Sequence, residues 1–471
     1  MADHRTQLLA LYGGAVPPDG DAVKVVDRAK LQSQATDRVV WQAVFGEGPE
    51  REAARWLLWE LGQATGARPA SIAPIYFARG RGECGGFTVP AINVRMLAYD
   101  TARAIFRAAG RRNCGAILLE IARSEIAYTE QRPAEYVAVL VGAALREGWT
   151  LPIFVQGDHC QVNAKKYQAD PKGEINEVKK LIAEEVGAGF YNIDVDSSTL
   201  VDLSRPTLLE QQRLNFEHAA EITHFIRDRE PEGVSVSVGA EIGEVGHKNS
   251  TVEELRAFMQ GYNAELRKYR NPEGISKISV QTGTSHGGVV LPDGTIAKVK
   301  LDLDALAALS RAAREEYGLS GAVQHGASTL PPDAFGNFAR LETAEIHLAT
   351  NFQSIVFDHP ALPATLRERM YRWLDTNAES ERKAGDTAEQ FYYKARKKAI
   401  GPFKRDVWSL PPEVRGAISA ELEKTFDFLF EQLKVTGTAT LVQQYIKAPY
   451  QSHASLQRAL VTATDDAEAG E

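Results

Sequence analysis

The chain has 471 residues, 44% of them hydrophobic and 25% charged, a balance that fits a soluble globular protein with a large core. A formal net charge of −8 argues against the broad basic face that nucleic acid or an anionic membrane would require. Cys84, Cys114 and Cys160 form no CxxC pair, so neither a disulfide framework nor a thiolate metal site is indicated.

No signal-peptide-like N-terminus is present and no run approaches the roughly 20 apolar residues of a membrane span, which together predict a cytoplasmic protein. Residues 1–80 read as an N-terminal helical extension. Its main element is a helix over Glu50–Ala64, where Trp56, Leu57, Leu58, Trp59 and Leu61 predict packing on the rest of the chain or on another subunit.

From Phe87 short β-rich runs alternate with longer amphipathic stretches, the pattern of parallel βα units. The predicted strands are Phe87–Val94, Ala116–Ala122, Ile153–Gly157, Phe190–Val195, Val234–Ala240, Ile275–Gly283, Gly321–Gln324 and Glu345–Ala349. Helices are predicted between them at Pro133–Glu147, Glu174–Val186, Leu208–Arg229, Val252–Tyr269 and Asp304–Tyr317. Thr251 and Asp302 stand where N-caps belong, each ahead of an acidic first turn.

Eight such strands predict the α/β class and a (β/α)8 TIM barrel over residues 81–360. Residues 361–461 then form a C-terminal helical region, and the small, acidic stretch 462–471 is expected to be a disordered tail. A basic cluster at Lys394, Arg396, Lys397, Lys398, Lys404 and Arg405 reads as a solvated helix face or as a group near an anionic substrate.

Three histidines follow predicted strands three, six and seven: His159 in Gly157-Asp158-His159-Cys160, His286 in Thr284-Ser285-His286-Gly287-Gly288, and His325 in Gln324-His325-Gly326-Ala327-Ser328. The active site of such a barrel lies at the carboxyl ends of its strands. A catalytic Zn²⁺ takes three protein ligands and keeps one direction open, which three strand ends facing one cavity can supply.

Asp158 is a candidate acid/base, with a carboxylate that orients a ligand imidazole as the alternative. Adjacent side chains near a strand end diverge, so one can ligate metal while its neighbour reaches substrate. Asp202 and Glu241, after strands four and five, are further carboxylate candidates. Gly287-Gly288 and Gly326-Ala327-Ser328 allow backbone N–H groups to approach an anion closely, which points to a phosphate beside the metal.

These motifs, in this order, resemble those of the class II, metal-dependent ketose-bisphosphate aldolases, over roughly residues 80–435. Gly157-Asp158-His159-Cys160 is similar to the family's Asp-His-Cys signature, Ser197–Ser204 to its Ser-Ser-x-x-x-Asp-x-Ser segment, and Ala240-Glu241-Ile242-Gly243 to its Glu-(Leu/Ile)-Gly segment. The resemblance implies zinc on His159, His286 and His325, Asp158 as acid/base, and Asp202 and Glu241 as a second metal position. It implies substrate and phosphate contacts from Asn93, Gly287, Gly326, Ser328, His347 and Thr350.

The implied reaction is reversible cleavage of a ketose (bis)phosphate to dihydroxyacetone phosphate and an aldehyde through a metal-stabilised enediolate. Zn²⁺ or another divalent cation is the implied cofactor, with a monovalent cation as a companion. The implied partner is a small phosphorylated sugar, and the implied assembly a homodimer or homotetramer.

The chain departs from the family in three places. His347 stands where the family has Asn, Gly246-His247-Lys248-Asn249-Ser250 lacks the loop Glu that assists proton transfer, and Ala122 replaces a Ser. His247 is a candidate for the missing proton-transfer role. Two other readings stay open, a catalytically silent sugar-phosphate-binding homologue and a zinc hydrolase on the same barrel. A Schiff-base route is disfavoured, because Lys277 lies at the start of its strand.

Overall fold

The computed structural model describes residues 2–243, 248–270, 273–283, 291 and 301–454. Eight parallel strands close into a barrel: β1 (Val89–Asn93), β2 (Leu118–Ala122), β3 (Ile153–Gln161), β4 (Asn192–Asp196), β5 (Ser237–Glu241), β6 (Lys277–Val280), β7 (Ala322–Gln324) and β8 (Glu345–Leu348). They neighbour one another in chain order, and β8 pairs with β1 to complete the circle. A short extra strand, Pro69–Ala70, runs parallel to the start of β3. The predicted strands are therefore all present, most of them trimmed by a residue or more, while β3 runs on through Gln161.

Strand sequences alternate, and the alternation sorts side chains between two environments. In β4, Ile193 and Val195 are buried apolar side chains and Asp194 and Asp196 are buried carboxylates, each pair two residues apart. The same period places Glu120 between Leu119 and Ile121, and Lys277 two residues before Ser279. Barrel interiors are usually filled by branched apolar residues. This one carries a charged layer.

Lys277 on β6 reaches across the barrel rather than to its neighbouring strands. Its Nζ lies 2.7 Å from Gln156 Oε1 on β3, 2.6 Å from Glu345 Oε1 on β8 and 2.9 Å from Asp194 Oδ1 on β4. Gln156 Nε2 donates to Glu120 and Glu345 at 2.9 and 2.8 Å. The layer needs room, and Gly239 on β5 provides it: a Cβ there would fall 2.2 Å from Asp194 Oδ1.

The helix Ala73–Gly80 closes the amino end of the barrel. Arg79 donates to the backbone oxygens of Thr343 and Ala344 just before β8, and the Tyr76 hydroxyl donates to Glu345 from below. The predicted N-terminal helix spans Gly48–Thr65, with Pro49 in its first turn and Gly66 at φ +97° ending it. It packs on the barrel helix Pro133–Arg146, where Gly62 allows close approach to Val141 and Gly142 faces Leu58.

The two ends of the chain are also tied together. Trp59 Nε1 donates to the backbone oxygen of Gln451 at 2.7 Å, and Tyr450 donates to Glu60 at 3.0 Å. The C-terminal region is helical, as expected, with its longest helix at Pro412–Gln432. The predicted helix Leu208–Arg229 is divided at Gln212, and Thr251 and Asp302 do cap the helices that follow them. No helix among the described residues is long and apolar enough to cross a membrane. The tail at 462–471 lies outside the described residues.

Two expected outcomes follow from the buried charges. Lys277→Met leaves Glu345 and Asp194 without their cation, so urea denaturation should show a loss of roughly 3–5 kcal/mol. Glu185 is buried, accepts a hydrogen bond from Cys160 Sγ at 3.2 Å, and is pushed by burial to about 8 from the usual 4.5. The folded chain therefore keeps a proton there that the unfolded chain loses. This contribution is full below about 4.5 and is lost as the pH rises to about 8. Between pH 5 and 8, Glu185→Gln should flatten the fall in urea midpoint, removing a slope of about 1.4 kcal/mol per pH unit.

Candidate active site

At the carboxyl ends of the strands the chain forms a cavity of about 620 Å³. Asp158, His159, His325, Gly326, Ser328, His347 and Thr350 all line it. His286 and Gly287 lie outside the described residues, as do Gly246 and His247.

A bulge in β3 builds the centre of the site. Gly157 pairs with Ile193, but the next pairing joins Cys160 to Val195, so β3 carries one residue more than β4 over this interval. His159 occupies the extra turn at φ +44°, a left-handed conformation that a side chain with a Cβ adopts only under constraint. The expected divergence of adjacent side chains is thereby overridden, and Asp158 and His159 both line the cavity. Gly157 has no alternative here, since a Cβ would fall 2.4 Å from Glu185 Oε2.

His159 and His325 face each other with ring centroids 4.3 Å apart. Glu241 Oε2 lies 3.6 Å from His159 Nδ1 and 3.9 Å from His325 Nε2. Ligand atoms of these three residues all lie within 4.8 Å of one another, a nitrogen and oxygen donor set suited to Zn²⁺. Asp196 accepts from His159 Nδ1 at 3.2 Å and is itself fixed by Ser198 and Gln161, so it sets the imidazole's orientation.

The charges favour a cation. Burial and neighbouring Asp196 push Glu241 up to about 8, whereas burial alone would lower His159, which Asp158, Asp196 and Glu241 instead hold well above its usual range. A bound cation would relieve the carboxylates from the centre of the group. The residues present fit a divalent metal.

His347, expected at the substrate, is also held from beneath. It lines the cavity, but its Nδ1 lies 3.0 Å from Asp158 Oδ1 and 3.1 Å from Glu120 Oε2, and its Nε2 lies 2.8 Å from Glu345 Oε1. Burial opposes its charge, yet Glu120 and Asp158 hold its pKa well above the usual range. A His at this position therefore links Asp158 to the charged layer beneath.

Asp202 is not brought into this site. It accepts from Ser204 Oγ at 2.6 Å and pairs with Arg205 at 2.9 Å on the exposed side of the loop after β4. Asn93 is buried at the end of β1 but does not line the cavity, and its Oδ1 accepts from Arg95 Nε at 3.0 Å. The sequence reading missed Asp196, Glu120 and Arg95, although Asp196 stands at the head of the Ser-Ser segment that had directed attention to Asp202.

The family described as fructose-bisphosphate aldolase class-II matches residues 81–406. No curated protein matches the chain in sequence. Among solved structures, it is similar to a probable tagatose 6 phosphate kinase from Sinorhizobium meliloti 1021, with 16% identity, 81% of this chain and 98% of that one covered, and a TM-score of 0.51.

A native fructuronate-tagaturonate epimerase from Cohnella laeviribosi is similar at 13% identity, with 92% of this chain and 90% of that one covered and a TM-score of 0.50. A fructose-bisphosphate aldolase from Campylobacter jejuni is similar at 16% identity, with 79% and 98% covered and a TM-score of 0.46. At these identities the first two likenesses speak for the fold alone. The match over residues 81–406 is what places the chain, which belongs to the class-II fructose-bisphosphate aldolase family.

Proposed function

We propose that the protein is a zinc-dependent aldolase that reversibly cleaves a ketose phosphate to dihydroxyacetone phosphate and an aldehyde. The observation that carries this reading is Asp158 lining the same cavity as His159 and His325, the two histidines that with Glu241 form a metal-compatible group. His159 and His325 would hold the ion together with His286 of the family's motif, and Glu241 lies 3.6 and 3.9 Å from the first two. When bound, the ion supplies Lewis acidity toward the substrate's carbonyl oxygen.

Asp158 takes the proton from the C4 hydroxyl as the C4–O bond becomes a carbonyl and the C3–C4 electron pair passes to C3. In condensation it returns that proton. His347, between Asp158 and Glu120, keeps the carboxylate aimed and supplies the positive charge that offsets the layer below. Gly326, Ser328 and Thr350 would seat the phosphate of the dihydroxyacetone fragment, and the backbone at Gly326, at φ +66°, turns the chain sharply after His325.

Cleavage of ketose mono- and bisphosphates, followed by a triose-phosphate-coupled assay, tests the reaction. Activity should vanish on chelation, return with Zn²⁺ and resist borohydride; activity unaffected by the chelator and abolished by borohydride with substrate would overturn the metal route. Asp158→Asn should reduce kcat by about 10²–10⁴-fold with bound metal retained. His325→Ala should instead lower the metal content measured by elemental analysis, and an unchanged stoichiometry would remove His325 from the ligand set.

A further inference from the structure

One nitrogen on β8 faces two acids. His347 Nδ1 lies 3.0 Å from Asp158 Oδ1 on β3 and 3.1 Å from Glu120 Oε2 on β2, so a single N–H is within hydrogen-bond reach of both. The two acids differ in what else they can reach. Asp158 stands on the cavity wall, whereas Glu120 borders the same cavity with its residue 0% exposed, so it can act on a substrate only through its neighbours. Its position is fixed all the same, because Gln156 Nε2 donates to Oε2 at 2.9 Å and Lys277 holds Gln156 in turn. Glu125, the other carboxylate bordering the cavity, is taken by Arg95 and by the backbone N–H of Ala122 at 2.9 Å.

As the base of an aldol cleavage, Asp158 is a carboxylate before it takes the C4 hydroxyl proton and a carboxylic acid afterwards. In the second state its pull on the His347 imidazolium falls away. A buried imidazolium that loses its counter-charge is costly. Glu120 removes that cost, because its oxygen already lies on the same nitrogen. The electrostatics act in the same sense: burial, then the Asp158 charge, pushes Glu120 up to about 7. Once Asp158 gains its proton the second push is gone, and Glu120 holds its charge more firmly just as Asp158 gives its own up.

We propose that Glu120 is a positioning residue for the proton transfer, the alternate acceptor to which the His347 N–H turns whenever Asp158 is protonated. The role rests on the aldolase reading, in which Asp158 takes the C4 hydroxyl proton. No bond to Glu120 forms or breaks: the C4 hydroxyl proton goes to Asp158, the C3–C4 electron pair goes to C3, and His347 keeps its own proton. Asp158 thus changes charge without the imidazolium having to move away, and it stands in the same place for the return of the proton in condensation.

The kinetic test uses the zinc-loaded, full-length protein and a ketose phosphate that it cleaves. Glu120→Gln keeps the shape and one acceptor oxygen but not the charge, and it should lower kcat by roughly tenfold or more with KM and metal stoichiometry unchanged. In an Asp158→Asn background, where position 158 never changes charge, the same substitution should alter residual kcat by about twofold at most. An equal factor in both backgrounds marks a merely structural role and overturns the proposal, as does wild-type kcat in Glu120→Gln or a loss confined to KM or metal content.

A second measurement leaves Glu120 untouched. In Asp158→Asn, whose neutral amide stands in for the protonated acid, nitrogen NMR of the isotope-labelled protein should show His347 still carrying both ring protons, its charge now held by Glu120. A neutral His347 in that variant overturns the proposal, even where the wild type cleaves ketose phosphates and the aldolase reading stands. A wild type that cleaves none refutes the aldolase reading instead, and the same spectrum then decides whether Glu120 is the alternate acceptor.

Discussion

The contact of Lys277 with Glu345 and Asp194, deep inside a closed barrel, is the constraint on which the rest of the site depends. An ammonium that leaves water must be compensated at once, and here the compensation comes from strands that are not its neighbours. β3, β4, β6 and β8 are thereby held at fixed distances through their side chains as well as through their ladders. Glu345 then hands the constraint upward to His347, and His347 to Asp158.

The charge balance of this column explains the histidine on β8. Glu120, Asp158, Asp194 and Glu345 bring four carboxylates together, and Lys277 alone would leave the group strongly negative. Asn could donate a hydrogen bond at position 347 but could not carry charge. Imidazole can do both, and its Nδ1 lies 3.1 Å from Glu120 while its Nε2 lies 2.8 Å from Glu345. What the sequence presents as an altered donor at a substrate-facing position is, in the fold, also the partner of three buried carboxylates.

The strands were legible because each is a short apolar or β-branched run bounded by turn residues, and their number alone implied closure. The same strings held more information than their apolar content. Asn192-Ile193-Asp194-Val195-Asp196 and Glu345-Ile346-His347-Leu348 alternate polar and apolar residues, which foretells a polar barrel interior. The bulge at Asp158-His159 was not legible, because nothing in a single strand states that its neighbour is one residue shorter. Asp202 misled because order along the chain does not report which way a loop carboxylate turns, whereas Asp196 is still on the strand and has its direction fixed by the pleat.

Tyr76 belongs to the segment that precedes residue 81, where the family match begins, yet its hydroxyl ends on Glu345, two side chains from Asp158. The unit of shared ancestry and the unit of chemical function therefore have different borders in this chain. A barrel excised at the border of the match would expose the underside of Glu345 to water and replace a fixed donor with a fluctuating one. The N-terminal extension is better regarded as the foundation on which the charged column stands than as an attachment to a finished barrel.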